Sequence, residues 1–129
     1  MENIEYLKKQ IPIMVNLFKS KRFEDLISKG MILIKKFPDQ DFFYNITSLA
    51  YNALGKSIEA KKLLTKILKK DPENISVLNN LGLVSSSCGD SSEAEKYYKR
   101  ALILKPDFID ALVNLGNLKT NQNKAEEAK

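Results

Sequence analysis

The chain has 129 residues, the span of one domain, and 43% of them are hydrophobic, enough for a continuous core between helices. Its net charge is +5, with one cysteine and no histidine. These counts exclude an internal disulfide and a cysteine–histidine zinc site, and no apolar stretch approaches the length needed to cross a bilayer. The opening Met-Glu-Asn-Ile-Glu lacks the basic-then-apolar order of a secretory signal, so a cytoplasmic, reducing setting is the expectation.

The first predicted helix covers roughly 3–19, and Pro12 falls within it. Either the helix kinks there, or it starts near Gln10 with the proline in its first turn. Ile13, Leu17, Phe23, Leu26 and Leu33 supply the apolar positions of a first helix pair over 7–40, closed by Pro38. Gly30 stands where that pair should have an apolar core residue. A second pair, over 41–74, has Tyr44, Tyr51, Ala60, Leu64 and Ile67, a turn at Gly55 and a stop at Pro72. The third, over 75–108, is the most legible. Ile75, Leu78, Leu81, Gly82 and Val84 fall near one helical face. Gly89 can take the left-handed conformation that ends a helix, and Asp90 with Glu93 reads as a capping pair for the next. Ala94, Tyr97, Tyr98, Ala101 and Leu104 follow at helical spacing, and Pro106 closes the pair. Small Gly82 and Ala94 are expected to face the partner helix. A fourth unit, over 109–129, is partial. Its helix over 109–120 carries Leu112, Leu115 and Leu118, and Lys124-Ala-Glu-Glu-Ala, ending on Ala128, is read as the start of a returning helix.

One interval runs through these units. Pro38, Pro72 and Pro106 are 34 residues apart, and Gly55 and Gly89 keep the same step. A fixed period of this length marks a stacked helical array, in which each unit buries its apolar face against the next. The pattern Leu78, Leu81-Gly82, Gly89, Ala94, Tyr98, Ala101, Pro106 resembles the tetratricopeptide repeat, with Ser85 where an aromatic is usual and Thr47-Ser48 replacing Leu-Gly one repeat earlier. The resemblance covers nearly all of the chain. It implies an all-α, right-handed α-solenoid of antiparallel helix hairpins, with three full repeats, a truncated fourth and about seven helices. It also implies that the first helix of each pair lines a concave groove and the second the outer wall.

Catalysis has little support. No histidine, phosphate-binding glycine loop or metal-ligand spacing is present, so neither an active site nor a cofactor is expected. Ser85-Ser86-Ser87 reads as a helix end, since no general base is near in sequence. Cys88 reads as a small core or boundary residue. The lysines are spread over second helices (Lys35, Lys36, Lys61, Lys62 and Lys66 among them), which describes a solvated outer face better than a nucleic-acid footprint. Only Arg22 and Arg100 could make the bidentate contacts that such sites favour.

Binding of a protein partner remains. Asn80 and Asn114 precede Leu-Gly in successive repeats, and Asn45 and Asn79 form a second row; Asn117 lies one turn beyond Asn114, and Asn52 one helix face beyond Asn45. Each amide offers a donor and an acceptor, so a groove lined with them can hold the backbone of an extended peptide. The Asn-Leu-Gly pattern is similar to the arrays of O-linked N-acetylglucosamine transferases, where such a ladder holds substrate polypeptide. A second reading is that these amides bond to neighbouring helices or face solvent. Phe18, Phe42, Leu49 and Leu83 make the first half of the groove apolar, which suits a partner helix or hydrophobic peptide. The family's carboxylate clamp for chaperone tails needs Lys and Asn where this chain has Ile11 and Val15; one repeat later, Asn45 and Leu49 also fail the pattern. The fourth unit lacks the polar outer face of a cap. The chain is therefore expected to be part of a longer protein, such as the recruiting arm of a glycosyltransferase or sulfotransferase, or to form a homodimer through Leu112, Leu115 and Leu118.

Overall fold

The computed structural model describes residues 2–127, with side chains from residue 4 onward; Ala128 lies outside the described residues. Among these, the regular structure is helical throughout: α1 (Glu2–Lys19), α2 (Phe23–Lys36), α3 (Asp41–Ala53), α4 (Ser57–Lys70), α5 (Ile75–Ser87), α6 (Ser91–Leu104) and α7 (Ile109–Glu127). The residues group into two compact units, Met1–Leu63 and Leu64–Lys129, divided within α4.

The turns repeat with the sequence period. The Arg22, Lys56 and Asp90 amides donate to the carbonyls of Leu17, Tyr51 and Ser85, each at 2.9 Å. This five-residue return is the outer bond of a Schellman turn, which needs a left-handed residue just before the donor. Gly55 (φ 78°) and Gly89 (φ 89°) provide it, but in the first turn the residue is Lys21, at φ 58°. A left-handed lysine costs about 1 kcal/mol that glycine avoids. Asp90 then caps α6, its carboxylate accepting from the Glu93 amide at 3.1 Å, and Asn74 caps α5 through the Val77 amide at 3.1 Å. At the start of the chain, α1 runs through Pro12. Of the two expected starts, the longer helix is the observed one.

In the first unit α2 lies between α1 and α3 in sequence and packs on both. Met14, Leu26, Leu33, Phe43 and Ala50 are fully buried. Gly30 is buried because Thr47 occupies the space over it: an added Cβ would collide with Thr47 Oγ1 and meet its Cβ and Cγ2 at 3.1 Å. The missing core side chain at Gly30 is thus a close approach of α2 to α3. Tyr44 Oη donates to the Pro38 carbonyl at 3.0 Å, tying α3 to the loop before it.

In the second unit α5 and α6 form a tight hairpin. Gly82 lies beneath the Tyr98 ring, where an added Cβ would be 2.6 Å from Cδ1 and 2.9 Å from Cζ. This meets the expectation that small residues let the pair approach. Burial pushes the Tyr98 phenol up to about 12, since the phenolate would lose hydration. Leu78, Ala101 and Ala111 form one cluster, with Ile75, Tyr97 and Phe108 against it. Ala94, Tyr98 and Leu118 form another, with Leu115 beside it. Arg100 Nη2 donates to the Pro72 carbonyl at 2.9 Å.

The last helix departs from expectation. The sequence predicts a helix over 109–120 and a returning helix from Lys124, but α7 is one helix from Ile109 to Glu127. Asn123 stands where the earlier turns have Lys21, Gly55 and Gly89, and Lys124 stands where Asp90 caps α6. Arg22 and Lys56 also lack a carboxylate at that position and the chain still reverses there, so the side-chain cap does not decide the course of α7. Leu118, expected to be free for self-association, is buried against Ala94 and Tyr98.

Glycines at one repeat position should respond oppositely to alanine. Gly82→Ala must displace the Tyr98 ring and should lower stability by about 1–3 kcal/mol. Gly116, with nothing within 4 Å of an added Cβ, should gain about 0.5–1 kcal/mol. Urea unfolding of the two variants measures both; shifts of one sign would refute the packing account. Lys21→Gly should gain about 0.5–1 kcal/mol by relieving the left-handed lysine, read as a raised Tm.

Candidate binding surfaces

Along α1, residues 15, 18 and 19 share a face; along α3, residues 42, 45, 46 and 49 do. The structure brings these faces together around a cavity of about 270 Å³, lined by Val15, Phe18, Lys19, Phe42, Asn45, Ile46 and Leu49. Its exposed wall is apolar, and among the described residues that line it Lys19 alone is charged. Both rings have firm backing. Phe18 meets Phe23 edge-on at 5.4 Å, and Phe42 meets the buried Phe43 edge-on at 5.7 Å. Asn45 Nδ2 donates to the Asp41 carbonyl at 3.2 Å, which turns the amide along its own helix. Four residues named from the sequence, Phe18, Phe42, Asn45 and Leu49, therefore line one cavity. Lys19 and Ile46 had not been singled out; both lie one helical step from residues that had, and that spacing was the signal. Val15, noted only as a departure from the carboxylate clamp, is part of the apolar wall. Asn52 lies outside this lining and accepts from Ser57 Oγ at 3.4 Å.

The second unit treats its asparagines differently. Asn79 is buried on α5, and its Oδ1 accepts from Asn114 Nδ2 on α7 at 3.0 Å. One amide from each expected row thus bonds to the other, the inter-helix alternative that the sequence left open. The cause is position: residue 79 is one place beyond the core residue Leu78 and follows it into the interface with α7. Asn80 and Leu83 remain half-buried on α5, and Asn117 is exposed on α7. Leu112 is exposed and Leu115 half-buried.

Glu95 pairs with Lys119 of α7 and with Lys99 at 3.2 Å. Those two ammonium groups, Lys119 foremost, hold its carboxyl below the usual carboxylate range. Cys88, read as core or boundary, is an exposed boundary residue whose thiol donates to the Ser85 carbonyl at 3.3 Å. Among the described residues no cluster of metal-ligating side chains occurs, and no helix is long and apolar enough to cross a membrane.

Comparison with known proteins bears on the fold. A tetratricopeptide repeat family model matches residues 63–96. No curated protein sequence matches the chain. Among solved structures, the first TPR domain of human RPAP3 superposes with a TM-score of 0.78 at 18% identity, covering 92% of this chain and 93% of that one. The Sgt2 TPR domain from Aspergillus fumigatus gives 0.79 at 16% identity, covering 93% and 81%. The first TPR of Spaghetti (RPAP3), bound to the HSP90 peptide SRMEEVD, gives 0.74 at 18% identity, covering 87% and 89%.

The amide pair has a measurable cost of disruption. Asn114→Ala leaves the buried Asn79 oxygen without its donor and should lower stability by about 1–3 kcal/mol. Adding Asn79→Ala should return part of that loss, because the stranded acceptor is then gone. Denaturant unfolding of the single and double variants measures the coupling, and strictly additive losses would show the bond to be inconsequential.

Proposed function

We propose that this chain, which has the tetratricopeptide-repeat fold, is a protein-interaction scaffold, and that its first unit takes an apolar anchor of a partner peptide or helix between α1 and α3. The carrying observation is the apolar wall of Val15, Phe18, Phe42, Ile46 and Leu49, open to solvent and backed by the buried Phe43. Its volume of about 270 Å³ lies just below the usual range of small-molecule pockets, roughly 300–1,000 Å³, and suits one large side chain better than a cofactor. Rings held by edge contacts lose little freedom on binding, which favours their use as docking residues.

The partner's chemistry follows from the wall. The peptide seen on Spaghetti (RPAP3) ends in two glutamates, valine and aspartate. Here Ile11 and Val15 replace the basic and amide residues of the carboxylate clamp, so an anionic chain end would find hydrocarbon. We assign instead an aliphatic or aromatic anchor, with Lys19 favouring an acidic neighbour at the rim. In the second unit, Asn80 is the amide we assign to a partner's backbone, by resemblance to the Asn-Leu-Gly arrays. Asn79 and Asn114 are better read as holding α5 to α7, given their mutual bond.

Selection from a displayed random-peptide library tests this. Bound peptides should be enriched in large apolar anchors, and Leu49→Asp should weaken them by roughly tenfold or more while leaving thermal unfolding near that of the parent. Asn80→Ala should weaken the same peptides uniformly if it reads backbone. Selected peptides that are purely acidic, or that bind Leu49→Asp unchanged, would refute the apolar-anchor reading.

A further inference from the structure

The cavity between α1 and α3 is one part of a longer face. Lys8 lies two turns before Val15 on the same side of α1, Ile11 lies between them, and Phe18 and Lys19 follow one turn beyond Val15. Ile11 and both lysines are exposed. An apolar strip of Ile11, Val15 and Phe18 therefore runs between two cations. At about 1.5 Å per residue, Lys8 and Lys19 stand roughly 16 Å apart along the helix. Among the described residues neither lysine is paired with a carboxylate. The arrangement belongs to α1 alone, since the same positions one repeat later hold Phe42 and Ala53.

The wall also selects the conformation of what lies on it. Its open surface is hydrocarbon. Asn45, the amide in the lining, donates to the Asp41 carbonyl of its own helix. An extended segment pressed against this wall would strand the backbone N–H and C=O groups that face it, each desolvated with no bond in return. A helix bonds those groups internally and presents only side chains. The cavity lies between two helices that already pack on each other, so a further repeat stacked on either end of the array would meet other faces.

Building on the apolar-anchor reading of this cavity, we propose that its occupant is a helix of a protein partner, apolar along one side, with an acidic residue at each end of that side about eleven residues apart. The apolar side covers Ile11, Val15, Phe18 and Leu49, and the two carboxylates meet Lys8 and Lys19. An extended segment would reach the same two lysines with carboxylates only about five residues apart.

The probe is a blocked sixteen-residue alanine–glutamine helix with leucines at its seventh, tenth and eleventh positions and glutamates at its third and fourteenth. A twin carries proline at its ninth position, which breaks the helix and keeps every contact residue. Each is titrated into the full chain. Methyl resonances of Ile11, Val15 and Leu49 should shift saturably with the first probe while those of Ile103 and Val113 stay still. The twin should bind more weakly by roughly tenfold or more. Lys8→Glu and Lys19→Glu, both at exposed positions, should each weaken the first probe by roughly threefold at low salt. Exchanging both probe glutamates for lysines should reverse the order, so that the doubly substituted chain binds better than the parent. Equal binding of the two probes would overturn the helix in favour of an extended segment and leave the apolar anchor standing. If neither probe shifts those methyls, the anchor reading falls with the helix. Affinity unmoved by both lysine substitutions would remove the acidic ends, and a dimer of the chain abolished by Leu49→Asp in light scattering would make a second copy the occupant.

Discussion

Two helices of a hairpin approach only as far as their facing side chains permit, and in α5 and α6 that limit is set by Gly82 beneath the Tyr98 ring. Close approach lets Leu78 reach Ala101, and the same surface then receives Ala111, Leu115 and Leu118 of α7. The first unit meets the same constraint with the sizes exchanged. Met14 occupies the position of Gly82, Gly30 that of Tyr98, and both are buried. The empty space at Gly30 is taken by Thr47 from α3. What recurs from hairpin to hairpin is a ration of volume, and either helix can supply the large member.

That exchange has a polar cost. Thr47 stands where the third repeat has Leu81, and its Oγ1 is buried without a hydrogen-bond partner, as is Oγ of Ser85, which stands where an aromatic is usual. These two departures each bring an unpaired hydroxyl into the core, at a desolvation penalty of about 1–3 kcal/mol, whereas the buried Ser48 hydroxyl donates to the Asn45 carbonyl at 2.8 Å. Gly30 narrows the gap between α2 and α3 enough for a threonine and not for a leucine.

Period and turn chemistry made much of this visible in advance. Gly55, Gly89 and the Asp90 cap each depend on residues within a few positions of one another, so local rules reached them, while the Gly82 contact with Tyr98 joins the two helices of one hairpin and was reached through the repeat pattern. The misses depend on contacts between helices far apart in sequence. Asn79 and Asn114 were placed in separate rows by counting along the chain, but which amides meet is decided by how α7 crosses α5. Leu118 was grouped with Leu112 by type, yet they sit six residues apart on opposite faces of α7. The cavity was half legible, because Phe18, Phe42, Asn45 and Leu49 share helical faces, while its closure by Ile46 and Lys19 required α1 to lie beside α3.

The course of α7 shows what a repeat pattern does and does not enforce. A hairpin reversal needs a residue that adopts the left-handed region and a second helix whose burial offsets the ordering of the turn, whereas Arg22 and Lys56 show that a side-chain acceptor is dispensable. Lys21 shows that the left-handed residue need not be glycine, since a lysine adopts φ 58° where α2 waits to pack. At Asn123 and Lys124 the described residues instead continue as one helix to Glu127. Helix propagation then wins by default, because each added residue gains a hydrogen bond without a new nucleus. The stripe of Ile109, Leu112 and Val113 ends on Gly116 and repeats the surface that α5 presents to α6, and among the described residues nothing lies over that glycine.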